Sequence, residues 1–461
     1  MTRKTANDLY WRNGVKTKDL PSKIVCCKKP DHETEEEWKA KARITACGNF
    51  EYEDLFTHLS NRSEVPDAFM LRAMLSYGAG TQWSIGSADL STAFLNAELD
   101  DKEDGIYLIT PPKFLVDLGI EEEHVVWKLN NALYGLKRSP KKWELTRNEQ
   151  IKKMQFDKEK DGSYKHFEQC KNGQNIWKVI QVQPSNGTSE VVGMMLLYVD
   201  DIFMMAPTTT IQNALATIND HWKMTITGTI QRDDTTPVKP VAELNILGCK
   251  VTLGLDNTIN LDQTGYIREK LHDRKYDGTH GKTSLPDVSQ AHLTPVPKEE
   301  RQTDEFLSFR KRCQEECGVL NWIAGKTRPD LACTLSMIAS IAAFNPKEAF
   351  DMIKGVWQYI VYTHDLGLNF GKHEEQGMRI ETDASFAPTG DRSRTGIVIY
   401  WRGNLIFWHT SNQSMATLST AEAEMGATVP GLKYGLAIHN FLMDVEPKKN
   451  GGIQENSLAR R

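Results

Sequence analysis

An apolar run interrupted by one pair of carboxylates is the most informative pattern of hydrophobic and polar positions along this chain. Residues 191–206 read VVGMMLLYVDDIFMMA, and Asp200 and Asp201 separate the two apolar segments. The pattern predicts two β-strands buried on both faces and joined by an acidic two-residue turn. Because burying adjacent carboxylates is unfavourable, the pattern favours a divalent cation that neutralises both. An ordinary solvated turn remains the alternative, since Asp is common in turns.

In the second half of the chain, the apolar residues have first a helical and then a strand-like spacing. Apolar spacing predicts helices over 262–274, from Phe306 to Leu320, and from Pro346 onward. Proline and polar residues at 281–305 predict a linker. Beyond residue 376, the spacing predicts strands at 378–383, 396–401 and 405–408 and a helix over 420–443.

Composition narrows the class of protein without identifying it. The 461 residues are 39% hydrophobic and 25% charged, as in ordinary soluble multi-domain proteins. The longest apolar stretch is too short to span a bilayer, and residues 1–20 lack a signal-peptide core, which predicts an intracellular protein without membrane contact. Eight cysteines without metal-ligand spacing predict reduced thiols. With a net charge of −5, nucleic-acid contacts would depend on local basic stretches.

A third carboxylate is available in the segment SADLSTAFLN, where Asp89 follows a predicted strand beginning near Trp83. Together with Asp200 and Asp201, Asp89 supplies the shared acidic ligands that a pair of Mg²⁺ ions requires. Taken alone, Asp89 is more typical of a helix N-cap than of a metal ligand.

Six segments occur in a fixed order: SADLSTAFLNAEL, ALYGLKRSPKKW, LLYVDDIFM, LNILGCKVTL, LNWIAGKTRPDLA and ATLSTAEAEMGA. In this order they resemble the reverse transcriptase and ribonuclease H region of copia-type retrotransposon Pol polyproteins, over residues 23–442. The resemblance implies an α+β multi-domain fold, in which a right-hand polymerase of fingers, palm and thumb precedes a helical connection and a truncated ribonuclease H-like α/β domain. The implied boundaries are 1–228 for fingers and palm, 229–280 for the primer-grip hairpin and thumb-like segment, 281–305 for the linker, 306–372 for the connection, 376–446 for the partial ribonuclease H-like domain and 447–461 for a polar tail.

The same resemblance implies RNA-directed DNA polymerase activity on an RNA or DNA template. The primer 3′-hydroxyl would attack a dNTP, with catalysis by Asp89, Asp200 and Asp201 and two Mg²⁺ ions, or Mn²⁺ in their place. The implied partners are the RNA template, the DNA primer, dNTPs and other Pol or Gag products. The implied location is a cytoplasmic virus-like particle with access to the nucleus.

Further site residues are carried over from the family's motifs. The residues implied to bind dNTP are Arg43, Lys29, Phe94, Tyr134, Gly135 and Lys137, with Phe94 excluding a 2′-hydroxyl. Leu247 and Gly248 resemble the primer grip. A basic stretch from Lys137 to Lys153, including Arg147, resembles a template-packing segment. Cys47 and Arg138 depart from the family pattern.

The first two carboxylates of a ribonuclease H site are implied at Asp383 and Glu424. Glu422 has capping-box spacing from Ser419 and is explained by the helix N-terminus, whereas Glu424 lies about 200° around the helix from it. Because further acidic ligands are missing, we expect ribonuclease H activity to be absent. A catalytically silent retroelement remnant that binds nucleic acid or supports assembly remains the alternative function.

Overall fold

A computed structural model describes residues 1–30, 38–51, 67–185, 187–276, 278, 281–288, 295–375, 377–387 and 392–446. The side chain of Lys29, part of the predicted linker and the predicted tail 447–461 lie outside the described residues. Among the described helices, none is long and apolar enough to cross a membrane.

The described strands form four sheets. In chain order they are β1 (Thr17–Pro30), β2 (Trp38–Ala46), β3 (Ser84–Leu90), β4 (Ile106–Thr110), β5 (Trp127–Lys128), β6 (Gln155–Phe156), β7 (Tyr164–Gln169), β8 (Ile176–Gln183), β9 (Thr188–Tyr198), β10 (Asp201–Ala206), β11 (Met224–Ile230), β12 (Glu243–Ile246), β13 (Cys249–Leu253), β14 (Ile259–Asp262), β15 (Leu368–Phe370), β16 (Met378–Ser385), β17 (Arg394–Trp401) and β18 (Asn404–Asn412).

The described α-helices are α1 (Arg3–Leu9), α2 (Ala68–Thr81), α3 (Lys113–Asp117), α4 (Ser139–Lys153), α5 (Thr208–Asn219), α6 (Thr264–Asp273), α7 (Asp304–Lys326), α8 (Ala332–Ile341), α9 (Pro346–Tyr362) and α10 (Thr420–Val445). With the four sheets they make a mixed α+β architecture.

The largest sheet has the strand order β11-β3-β10-β9-β8-β7-β6 and is covered on both faces. Along β10, Ile202 and Met204 pack with α4 and α5, whereas Phe203 and Met205 pack in the core that contains α2. This alternation confirms the prediction of a hairpin buried on both sides. The predicted turn is wrong by one residue, because Asp201 pairs with Tyr198 and so belongs to β10.

A smaller sheet has the strand order β2-β1-β4-β5, and β3 of the central sheet lies between β2 and β4 in the chain. Strands β1 and β2 form a long antiparallel hairpin, and β1 also pairs in parallel with β4. The end of β2 is joined to the segment before α4, since the Ala46 N–H donates to the Tyr134 carbonyl at 2.8 Å. The base of this hairpin is therefore fixed next to the residues that follow Tyr134.

Helices α6 to α9 share one hydrophobic core. The predicted helices over 262–274, 306–320 and from residue 346 correspond to α6, α7 and α9. The prediction of only two helices after the linker is wrong, because α8 lies between them. Its sequence, ACTLSMIASI, is apolar over most of its length and lacks the clear periodicity that reveals a half-exposed helix.

The predicted helical connection also contributes a strand. Leu368–Phe370 pairs with β14 at the edge of the sheet β12-β13-β14-β15. Through this strand and the shared helical core, the predicted thumb-like segment and connection pack as one unit.

The last described region consists of a three-stranded sheet, β16-β17-β18, covered on one face by α10. All three strands and the helix lie where the sequence predicts them. Close packing follows from two helix glycines, since a side chain at Gly431 or Gly435 would collide with Thr382 or Ile380 of β16.

Candidate active site

Three carboxylates meet at one end of the central sheet. Asp89 of β3 lies directly opposite Asp201 of β10 in the antiparallel register, and Asp200 occupies the adjoining turn. One oxygen from each carboxylate lies within 4.8 Å of the others. These residues, which we call the acidic cluster, are half-buried at Asp200 and exposed at Asp89 and Asp201. The strands are thus buried as predicted, while the carboxylates themselves remain accessible to a ligand.

The acidic cluster has the chemistry of a divalent-cation site. Carboxylate oxygens are the ligands that Mg²⁺ and Mn²⁺ prefer. Strand pairing fixes the backbone of Asp89 and Asp201, and the Leu90 N–H donates to the Asp200 carbonyl at 2.8 Å. The donor set and its accessibility fit such a cation.

A row of three side chains, Arg43, Tyr134 and Phe94, lies beside the acidic cluster. The Phe94 and Tyr134 ring centroids are 5.1 Å apart and nearly edge-on, and the Arg43 guanidinium lies 5.4 Å from the Tyr134 centroid. Burial raises the pKa of Tyr134, Arg43 opposes this rise, and Asp200 and Asp89 add to it. The structure therefore brings three of the predicted dNTP-binding residues together near the predicted catalytic residues.

Gly135 sits where no larger residue fits. Its φ of +92° lies in the region that favours glycine, and a Cβ there would be 2.0 Å from the Ala46 carbonyl oxygen. The loop that carries Tyr134 thus packs directly against the end of β2.

Lys137 is held by Glu51, a residue that the sequence analysis missed. The Glu51 carboxylate accepts from the Lys137 N–H at 3.1 Å, and the Lys137 ammonium donates to the Glu51 carbonyl at 3.0 Å. Tyr107 and Lys18 also donate to this buried carboxylate, at 2.6 and 3.3 Å. Burial lowers the pKa of Lys18, and Glu51 opposes that shift. Glu51 lies in none of the six motifs, so the sequence carried no signal for it.

The basic stretch before and along α4 is not a solvated template-binding surface throughout. Arg147 is buried, with 2% of its surface exposed, which contradicts a direct template contact for this residue. Lys142 and Arg138 form ion pairs with Asp104 at 2.7 and 3.3 Å. Tertiary packing thus turns part of a basic sequence pattern inward.

Leu247 and Gly248 form the two-residue turn between β12 and β13. Both have positive φ, of 50° and 77°, which is the pattern of a type I′ hairpin. A Cβ at Gly248 would lie 3.2 Å from the Trp322 ring of α7. The predicted hairpin is present, and its tip lies against Trp322 of α7.

The two predicted ribonuclease H carboxylates belong to no group of three or more metal-binding side chains among the described residues. On β16, Thr382 and Ile380 contact α10, so Asp383 is directed to the other face, where it lines a cleft beside the start of α8. Glu424 is exposed on α10. Among the described residues, the acidic cluster is the one group of three or more acidic, His or Cys side chains arranged to hold a metal.

The chain is similar to one protein family and to curated Pol polyproteins. A family model described as reverse transcriptase (RNA-dependent DNA polymerase) matches residues 11–234. The chain is 24% identical over 417 residues to the retrovirus-related Pol polyprotein from transposon TNT 1-94 of Nicotiana tabacum, covering 88% of this chain and 28% of that protein. It is 24% identical over 393 residues to the corresponding polyprotein from transposon RE1 of Arabidopsis thaliana, covering 83% and 23%. The chain therefore spans 23–28% of the length of these two relatives.

Among solved structures, the crystal structure of prototype foamy virus protease-reverse transcriptase is similar with a TM-score of 0.27 and 11% identity. The match covers 91% of this chain and 43% of that chain.

Proposed function

We propose that this chain, which belongs to the reverse transcriptase (RNA-dependent DNA polymerase) family of copia-type retrotransposons, synthesises DNA on a nucleic-acid template at the acidic cluster. The observation that carries this proposal is the convergence of Asp89, Asp200 and Asp201 within 4.8 Å at an accessible end of the central sheet. All three carboxylates lie within the stretch that matches the family, residues 11–234.

In the proposed reaction the primer 3′-oxygen forms a bond to the α-phosphorus of a dNTP, and the bond to the pyrophosphate oxygen breaks. Two divalent cations held by the acidic cluster would neutralise charge on the attacking and leaving oxygens. Asp89 and Asp201 offer their oxygens from paired strands, so little reorganisation is needed on binding. Asp200 completes the set from the turn.

The proposed nucleotide site is the row Arg43, Tyr134 and Phe94. Arg43 has the rigid fork of donors that suits phosphate oxygens, and its guanidinium lies 5.4 Å from the Tyr134 ring centroid. Phe94, half-buried beside the acidic cluster, would contact the sugar and exclude a 2′-hydroxyl. Gly135 would let the backbone of its loop lie close to the nucleotide. Lys137, which is held beside Glu51, would contribute positive charge near the phosphates. Lys29 is proposed from its motif alone.

We assign parts of this fold to the fingers, palm and thumb of a right-hand polymerase from the positions of these residues. The β1-β2 hairpin would form the fingers, the central sheet the palm and the α6 region the thumb. Leu247 and Gly248 would contact the primer end. The proposed substrates are an RNA or DNA template, a DNA primer and dNTPs, and association with other Pol or Gag products in a particle remains a prediction.

Primer extension with purified protein, an RNA template, a DNA primer, dNTPs and Mg²⁺ tests the proposal. We expect processive addition of deoxynucleotides. Template binding without any extension would favour a catalytically silent nucleic-acid-binding module.

We also predict that this chain does not cleave the RNA strand of an RNA–DNA hybrid. Two-metal hydrolysis needs acidic ligands on both sides of the scissile phosphate, and Asp383 and Glu424 are not grouped with a third such ligand among the described residues. Incubation with an end-labelled hybrid should leave the RNA intact over the period in which primer extension is complete. Cleavage that is lost in Asp383→Asn would contradict the prediction.

A further inference from the structure

The turn that carries Asp200 has an unusual backbone. Tyr198 and Asp201 pair across the hairpin, so Val199 and Asp200 are its two central residues. Val199 has a φ of 55°, whereas Asp200 is not among the residues with positive φ. Positive φ at the first central position alone is the pattern of a type II′ turn, in which glycine is favoured there. A β-branched residue in this conformation is strained, and such strain persists only where surrounding contacts enforce it.

Two donors from α4 meet at the carbonyl oxygen of this strained residue. Trp143 Nε1 donates to the Val199 oxygen at 2.7 Å, and Arg147 Nη1 donates to the same oxygen at 3.2 Å. Trp143 and Arg147 are four residues apart and therefore lie on one face of the helix. The Val199 carbonyl belongs to the peptide group whose N–H is that of Asp200. The two donors thus act on the peptide that leads into Asp200.

The buried guanidinium of Arg147 is hydrogen-bonded to neutral oxygen atoms. It is 2% exposed, and it also donates to the neutral amide oxygen of Asn148, from Nε at 3.2 Å and from Nη2 at 3.0 Å. Burial lowers the pKa of Arg147 to about 10, and Glu144 opposes this shift. Glu144 itself is ion-paired with Lys141 at 2.6 Å. Burying a charged guanidinium against a carbonyl and an amide has a high desolvation cost. This cost indicates that the hydrogen bond from Arg147 to the turn has a functional role.

We propose that Trp143 and Arg147 are positioning residues that select the orientation of the Val199–Asp200 peptide and thereby hold the Asp200 carboxylate in the acidic cluster. Rotation of this central peptide would convert the type II′ turn toward type I′, which requires positive φ at Asp200 as well. Asp200 would then leave its present position relative to Asp89 and Asp201. The catalytic consequence rests on the proposed polymerase function, whereas the effect on cation binding does not.

Direct binding of Mn²⁺ to the full chain, followed by electron paramagnetic resonance, tests the proposal without polymerisation. Arg147→Met keeps much of the side-chain volume and removes the donor, and we expect it to weaken Mn²⁺ binding about tenfold, the scale of lost support for a metal ligand. Trp143→Phe should weaken binding in the same direction. If Arg147→Met does not fold, as judged by its thermal transition, Trp143→Phe alone decides the outcome.

Rescue separates positioning of the turn from general stability. Glycine at position 199 adopts the type II′ turn without strain, so the double variant Arg147→Met, Val199→Gly should bind Mn²⁺ within about twofold of Val199→Gly alone. The matched control is Ile151→Val, which alters the next buried turn of α4 but leaves both donors to the Val199 carbonyl in place, and it should lower stability while leaving Mn²⁺ affinity unchanged. Unchanged affinity in Arg147→Met and Trp143→Phe, or no rescue by glycine, overturns the proposal.

Primer extension then reports on the catalytic consequence. We expect Arg147→Met to require more Mg²⁺ for half-maximal kcat, with the KM for dNTP little changed, because Arg147 donates to the hairpin turn and to Asn148, outside the proposed nucleotide site. If the wild-type chain extends no primer while Mn²⁺ affinity shifts and is rescued as expected, the proposed polymerase function fails and the positioning role stands.

Discussion

Replacing Asp200 by Asn should reduce primer extension by about 10³-fold or more, because a neutral amide cannot supply the charge that the transition state requires from the acidic cluster. Asn has nearly the shape of Asp, so the turn and the β9–β10 pairing should persist. Single-nucleotide insertion under saturating dNTP and Mg²⁺ measures the loss in kcat.

The matched control for this experiment is Asp220→Asn, which removes a carboxylate from the exposed end of α5. We expect the control to retain wild-type rates. Equal activity of the wild-type and Asp200→Asn proteins would contradict the assignment of Asp200 to catalysis.

Replacing Phe94 by Val should raise the incorporation of ribonucleotides relative to deoxynucleotides by a factor of about 10 or more, the scale of a relieved steric clash. The Phe94 ring lies 5.1 Å from that of Tyr134, beside the acidic cluster, so a smaller side chain opens space where a sugar would lie. The ratio of kcat/KM for a matched rNTP and dNTP measures the change.

Leu95→Val is the neighbouring control, since Leu95 is exposed in the same short 3₁₀ segment, Ala93–Asn96. An unchanged ratio in Phe94→Val would show that Phe94 serves only to support Tyr134. A loss of dNTP incorporation without a gain for rNTP would indicate the same.

The sequence located the residues of the acidic cluster, because the signals for them were local. The apolar run on both sides of Asp200 and Asp201 dictated a buried hairpin, since strands covered on both faces have few polar positions. Asp89 followed a predicted strand and lies at the end of β3. The order of six motifs identified the family, and the C-terminal strands and α10 could be placed from their periodicity. What was local in sequence was therefore predictable.

The tertiary structure decided which of these residues meet and what holds them. Glu51 was invisible in sequence because its partners Tyr107 and Lys137 lie 56 and 86 residues away. Arg147 reads as one more cation in a basic stretch, and only the packing of α4 beneath the hairpin buries it against Val199. Asp383 was separated from the α10 side of its sheet by strand alternation relative to a helix more than thirty residues away. Side-chain direction and long-range pairing depend on how elements pack in three dimensions, and no local pattern of residues encodes that packing.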